Sequence, residues 1–225
     1  SDGYLDFYAN LSGIPANVGM RGDAAIKDGS LKVNYLNTTY IFDRLDIDVL
    51  PGYFDFSQNT IKDEIGNVAR IEGGIGHRVF KNFYYDFNLV ANELLAFNTQ
   101  KGDNDTYYGR GIGSVNGSLR GPFPRPEMVI NATSLEGTTV YVPLDDSGEV
   151  GDLDFIVFGN DDETTETSNE ADFLRDVRGM NIDINLTLTD DAKTYLIFDE
   201  RSGDVIQSTG DANLNFNITR TGEFK

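Results

Sequence analysis

The sequence predicts an all-β protein. Three observations carry that prediction. Apolar and polar residues alternate over more than ten separate stretches, Gly, Pro, Asn and Asp gather between them, and no stretch sustains the 3.6-residue apolar period of a long helix. The stretches are irregularly spaced, which excludes a counted repeat such as a propeller.

Leu5, Phe7, Ala9 and Leu11 open the series against Asp6, Tyr8 and Asn10, and residues 13–22 are expected to interrupt it. Asp28-Gly29-Ser30 carries the residues of a type I′ hairpin turn, because Asp and Gly tolerate positive φ. A strand is expected over residues 32–40, with Val33 and Tyr35 on one face. Residues 41–49 then set Leu45, Ile47 and Val49 against Asp46 and Asp48, and Pro51-Gly52 ends them as a turn. Phe54 and Phe56 flank Asp55. After a polar turn at 62–67 come Ala69, Ile71 and Ile75, then Phe83, Tyr85, Phe87 and Leu89 against Tyr84, Asp86 and Asn88. In NELLAF, residues 92–97, a short helical turn competes with a strand.

The most patterned stretch is YYGRGIGSVNGSLRGPFPRPEMVINATSLEGTTVYVPL, residues 107–144. Tyr107, Gly109, Gly111, Gly113, Val115, Gly117 and Leu119 present one apolar or bare face, and Tyr108, Arg110, Ser114, Asn116, Ser118 and Arg120 the other. Glycine weakens a strand unless something must approach its backbone closely, so these glycines are expected to thin the inner wall where the sheet bends. Across Pro122-Phe123-Pro124-Arg125-Pro126 the apolar parity reverses, to Met128, Ile130 and Ala132, because proline cannot donate to a ladder and pairing must pause. Gly137 makes the next turn, and Val140, Val142 and Leu144 keep the even parity.

Residues 145–153 are acidic, and 155–158 are expected to form a short apolar strand. Residues 161–170, DDETTETSNE, hold no apolar side chain and are expected to form a flexible acidic loop, followed by room for a helical turn at 171–177. Met180, Ile182, Ile184, Leu186 and Leu188 against Asn181, Asp183, Asn185, Thr187 and Thr189 make the best amphipathic strand. Residues 195–198, 205–208 and Leu214, Phe216 and Ile218 complete the series, expected as one β-rich unit over 1–225.

A net charge of -19 disfavours nucleic acid and anionic membrane surfaces, whose binding depends on Lys and Arg. Cysteine is absent, which excludes disulfides and thiolate metal sites without fixing the compartment. No apolar run approaches the roughly 18–20 residues of a membrane helix, and no signal-peptide pattern stands at Ser1. The chain starts without Met and stops just after a strand-like segment, as expected of a piece of a longer protein.

The chemistry-bearing residues point away from catalysis, cofactors and metals. His77, in GGIGHRV, has no adjacent nucleophile motif and is expected to be structural or at the surface. Asp103, Asp105, Asp145, Asp146, Asp161 and Asp162 lack the spacing of a Ca²⁺ loop and read as solvated turns. Asn-x-Ser/Thr triplets at Asn10, Asn37, Asn104, Asn116, Asn131, Asn185 and Asn217 are a by-product of alternation and mark exposed β-face positions. The residues alone leave two architectures open: a closed β-sandwich, and an open curved sheet whose inner face holds acyl chains.

NYLNTTYIFDRLDIDVLPGYFDFS (residues 34–57), FKNFYYDFNLVANELLAFNT (80–99), the stretch 107–144 and RGMNIDINLTLTDDAKTYLIFDERSGDVIQSTGDANLNF (178–216) together resemble the C-terminal region of the TamB, or translocation and assembly module, family in its Bacteroidota form. The likeness covers nearly the whole chain. It implies a long periplasmic protein of the AsmA-like group, anchored in the inner membrane and reaching the outer one. The implied fold is an elongated, curved, U-shaped, antiparallel-rich sheet, a β-taco, with an apolar inner groove. The implied work is phospholipid transport and outer-membrane biogenesis without catalytic residues, and the implied partners are phospholipid acyl chains, flanking parts of its own chain and an Omp85-class protein. On that basis the groove candidates are Leu45, Ile47, Val49, Phe83, Tyr85, Phe87, Leu89, Met128, Ile130, Met180, Ile182, Ile184, Leu186, Leu214, Phe216 and Ile218. Two other functions stay open: a glycan-binding module using exposed aromatics such as Tyr84 or Tyr108, and a scaffold for outer-membrane strands using a sheet edge.

Overall fold

The computed structural model describes residues 4–14, 17–103, 107–143, 180–199 and 204–220. In chain order the strands are β1 (Tyr4–Ile14), β2 (Asn17–Val33), β3 (Thr38–Leu50), β4 (Tyr53–Asp55), β5 (Asn59–Lys62), β6 (Val68–Arg78) and β7 (Lys81–Thr99). They continue as β8 (Tyr108–Pro122), β9 (Glu127–Ser134), β10 (Thr139–Pro143), β11 (Asn181–Leu188), β12 (Lys193–Asp199), β13 (Asp204–Ser208) and β14 (Ala212–Ile218). One turn of 3₁₀ helix, Asn34–Leu36, joins β2 to β3.

All fourteen strands belong to one sheet, mostly antiparallel, with β9–β11 and β10–β12 as the parallel pairs. From β1 to β8 the strands follow one another across the sheet, with β4 and the short β5 both lying between β3 and β6. At β8 the sheet divides. Residues 113–120 of β8 pair with β9, which leads to β11 and β14, whereas residues 108–110 pair with β10, which leads to β12 and β13. A crease therefore crosses the sheet where β9 passes into β10 and β11 into β12. It is tied by hydrogen bonds: Leu135 N–H to Ile112 O (2.8 Å), Thr138 Oγ1 to both Ile112 O (2.7 Å) and Ile112 N–H (3.1 Å), and Thr189 N–H to Ser134 Oγ (2.9 Å).

The sheet is curved. β3 and β7 stand three ladder steps apart, which on a flat sheet means about 14 Å. Yet Tyr40 Oη donates to Leu95 O at 3.3 Å, and Asn37 Nδ2 donates to Asn98 O at 2.9 Å. The curl encloses one apolar cluster of Ala69, Ala91, Leu94 and Val115, with Tyr40, Ile61, Leu89, Ile130 and Ala132 against it. A second cluster joins Ala24, Ile47 and Val49 to Met20, Ile26, Phe54 and Phe56. No second sheet packs on this one among the described residues, so the architecture is the curved single sheet and not the closed sandwich.

Four local expectations are corrected. Asp28-Gly29-Ser30 makes no hairpin: Asp28 takes φ 53° inside a continuous β2, whose ladder with β3 keeps its register from Lys27–Arg44 to Gly29–Phe42. The chain reverses instead at 34–37, where Asn37 adopts a left-handed conformation, so residues 32–40 are not one strand and Tyr35 lies in the 3₁₀ turn. The first interruption is shorter than expected, since β1 reaches Ile14 and β2 begins at Asn17. NELLAF is strand, not helix. Bulges between Ala91 and Leu94 and between Leu95 and Phe97 shift the ladder to β8, so both leucines are buried on consecutive positions. Leu144 and the expectations for 145–153, 155–158, 161–170 and 171–177 lie outside the described residues.

Cross-strand rings cover several glycines: Phe42 lies over Gly29, Tyr84 over Gly76 and Phe97 over Gly111. The ring supplies the packing that the missing side chain cannot.

Candidate functional site

The parity reversal at the proline knot is realised in the ladder. Leu119 pairs with Met128, Gly117 with Ile130 and Val115 with Ala132, so odd positions of β8 and even positions of β9 share a face. Register extends that face over most of the sheet. One row runs Ile71–Leu89–Gly117–Ile130–Ile184, and its neighbour runs Gly73–Phe87–Leu119–Met128–Ile182. Further along, Val49–Phe54–Ile75–Tyr85 continues the same side, as do Ile47–Ala24–Phe7 and Leu45–Ile26–Leu5.

The groove candidates occupy this face unevenly. Leu45, Ile47, Val49 and Ile182 are buried, and Tyr85, Phe87, Leu89, Met128, Ile130, Ile184 and Leu186 are half-buried. Phe83 and Leu214 are exposed. Met180 precedes β11 and belongs to no ladder, so it is not part of the strand expected to carry it. Phe216 pairs with Ile184 and Ile218 with Ile182. Half-burial with no covering sheet is what a concave apolar surface gives, because neighbouring side chains converge on the inside of a bend. Sequence reasoning placed Val115 and Ala132 on the apolar face without naming them as groove residues, and it did not assign Phe54, Phe56, Ile71, Ile75 and Ala91 to this surface. Their alternation was legible, but which of two faces they took is fixed by strand pairing.

Gly111, Gly113 and Gly117 point to this inner side and are buried. A Cβ on Gly113 would stand 2.7 Å from Thr133 O, and Gly109 takes φ 132° against the backbone of β10, so close approach demands both glycines. Gly117 differs, since its nearest neighbours, Leu89 and Val129 O, are 4.0 Å away. It leaves room for a Cβ between its ladder partners Leu89 and Ile130.

The opposite face is polar, with amides and hydroxyls at the centre of β8, β9 and β11 and ion pairs such as Lys27–Asp6, Arg44–Asp46 and Arg120–Asp86 elsewhere. Asn116, Asn131 and Asn185 stand side by side in register, all exposed, and Asn185 Nδ2 donates to Asn131 Oδ1 at 3.0 Å. Tyr108, Tyr141 and Tyr195 stack face to face across β8, β10 and β12, with ring centroids 4.8 and 4.7 Å apart. Their ring faces are thereby turned on each other, not laid flat for a sugar. Tyr84 is exposed with its ring over Gly76.

His77 is buried among Phe54, Phe80 and Phe83, its ring stacked on Phe80 at 4.6 Å. Its Nδ1 accepts the Phe80 N–H at 3.1 Å, which puts the proton of the neutral ring on Nε2. Burial pushes its pKa down. Asp63 is the buried carboxylate: it accepts N–H bonds from Ile65 (3.0 Å), Asn67 (2.9 Å) and Leu95 (2.6 Å), holding the bulge of β7. Among the described residues neither group is hydrogen-bonded to a hydroxyl nucleophile. No group of three His, Asp or Glu is placed to hold a metal among the described residues.

A family model of the TamB C-terminal domain matches residues 57–225, well over half of the chain. The chain belongs to the TamB family. TamB proteins are transport and assembly modules of the cell envelope that work with outer-membrane partners, and they are not an enzyme family. Comparison with curated proteins and with solved structures returned no match. The matched segment starts after β4, yet β1, β2 and β3 continue the same ladder, so the TamB sheet of this chain extends upstream of the matched domain. No helix among the described residues is long and apolar enough to cross a membrane.

Proposed function

We propose that this chain is a lipid-conducting segment of a periplasm-spanning TamB protein, holding phospholipid acyl chains on the inner face of its curved sheet. The observation that carries this is the continuity of the apolar rows, from Ile71 on β6 to Ile184 on β11, on the concave side of a sheet without a covering layer. Burying a methylene gains about 0.8 kcal/mol, so a tail laid along these rows is held by many small, interchangeable contacts and can slide. The polar and charged opposite face keeps the outside wet. The residues proposed to line the path are the sequence candidates on the inner face, from Leu45 to Leu214, joined by Phe54, Phe56 and Val115.

Ile184→Asp tests it. The side chain is half-buried on the row that runs from β6 to β11, so the carboxylate should leave the fold intact while co-purifying phospholipid falls several-fold; unchanged lipid in a folded variant refutes the groove.

A second function is favoured by a separate observation. Edge strand β1 exposes Leu5 at 66%, Phe7 at 55% and Leu11 at 68%, and its eleven residues contain no Lys, Arg or Pro to block pairing. Strand addition there suits a flanking part of the same chain or a strand of an Omp85-class partner.

A further inference from the structure

A pocket of about 310 Å³ opens at the end of the sheet beside the β8–β9 turn, lined by Arg120, Gly121, Pro122, Arg125, Glu127 and Arg220. Three guanidinium groups at one spot are unexpected in a chain of net charge -19 with 18 Lys and Arg in all. Arg120 Nε binds Asp86 at 3.1 Å and its second nitrogen binds Asn88 at 2.9 Å, which fixes the plane of the group. Arg220 reaches Glu127 at 3.5 Å. Arg125, exposed on the turn, makes no ion pair among the described residues. Three cations thus answer two carboxylates, and the adjoining β6–β7 turn adds Arg78 and Lys81, the two turns being joined by the Phe123 N–H to Phe83 O bond at 2.8 Å. The acidic remainder of the chain counts for little here, because charges beyond about 8 Å are screened at physiological salt.

The pocket opens on the polar side of the β8–β9 hairpin, one residue along each strand from the apolar face. Arg120 and Glu127 form the ladder pair next to Leu119 and Met128, which lie on the inner side. Phe123, 63% exposed on the same turn, approaches Tyr85 of the inner face with ring centroids 6.3 Å apart. A molecule lying on Leu119 and Met128 therefore reaches the arginines by crossing the rim of one hairpin.

We propose that this pocket binds the phosphate of a lipid head group whose acyl chains lie on the inner face. The inference rests on the groove function above and adds to it a head-group site. Guanidinium groups suit phosphate because they donate paired, parallel hydrogen bonds and stay charged. Glu127 holds Arg220 between lipids, and the incoming phosphate takes over that guanidinium.

The test offers the purified chain two lipids with the same tails, dioleoyl phosphatidylglycerol and dioleoylglycerol, in neutral detergent micelles, with glycerol 3-phosphate as a soluble competitor. Wild type should retain the phosphate lipid about tenfold better. R125Q/R220Q should lose that preference while retaining dioleoylglycerol unchanged, and Arg125→Glu, on an exposed turn, should invert it. An unchanged preference in both variants overturns the head-group site and leaves the groove standing. Failure of wild type to retain either lipid overturns the groove and the site together. Displacement by glycerol 3-phosphate at concentrations equal to the lipid means a site for free phosphate and overturns the assignment to a lipid.

Discussion

Gly113 and Gly117 lie two pleat repeats apart on β8, both on the inner face, and the same substitution should separate their roles. A Cβ on Gly113 meets Thr133 O at 2.7 Å, against roughly 3.3 Å for a relaxed carbon–oxygen contact, so β9 must retreat by about 0.6 Å from a ladder pinned at Ser134. Overpacking of that kind costs about 1–3 kcal/mol. On Gly117 the nearest atoms are 4.0 Å away, and a β-branched residue in a strand recovers about 0.5–1 kcal/mol of the flexibility that glycine squanders when unfolded. Gly113→Val should therefore lower the melting temperature by about 4–8 °C, and Gly117→Val should leave it unchanged or raise it slightly. Only the second should be informative about function: its three added carbons stand in the space between Leu89 and Ile130 and should reduce lipid retention in a fully folded protein. Equal destabilisation by the two valines refutes the distinction, and undiminished lipid in Gly117→Val refutes the idea that the space is part of the path.

Asp63→Ala leaves the N–H groups of Ile65, Asn67 and Leu95 without their acceptor in a buried place, and urea unfolding should show a loss of about 3 kcal/mol, with Asp63→Asn losing less; wild-type stability in the alanine variant counts against its role as the clamp on β7. His77 has a folded pKa below the usual 6.5 or so, because burial among Phe54, Phe80 and Phe83 disfavours its cation. The unfolded chain then binds the proton more readily, so the contribution of His77 is complete above about pH 6.5 and is lost as the pH falls towards the folded pKa. Melting scans from pH 7.5 to 5 should show that decline in wild type and a shallower one in His77→Phe; identical slopes refute it.

The faces of this sheet were legible in the sequence because a period of two needs no partner to be seen. Leu45, Ile47 and Val49 are buried as their alternation implies, and the reversal from Leu119 to Met128 follows from what prolines cannot do. Where the chain turns was less legible. Asp28-Gly29 has turn chemistry, but its positive φ is spent inside β2 and the reversal falls to Asn37, whose side chain is held by Asn98 O from 61 residues away. NELLAF suits a helix locally, and loses it to a tertiary bond: Asp63 captures the Leu95 N–H and the two bulges bury both leucines. The crease is invisible in sequence for the same reason, since Thr138 finds Ile112 only once β8 and β10 are paired. The arginine pocket gathers residues from β8, the following turn, β9 and the segment just after β14, which no local pattern connects.

The account stands or falls on whether acyl chains lie on one face of this sheet and not on the other. Ile130 and Asn131 on β9, and Ile184 and Asn185 on β11, are neighbours in sequence that point to opposite faces, Ile130 pairing with Ile184 in one ladder row and Asn131 with Asn185 in the next. A photo-crosslinking amino acid placed at each of the four positions in cells should capture phospholipid at 130 and 184 and not at 131 and 185. Capture at all four alike, or at 131 and 185 alone, contradicts it.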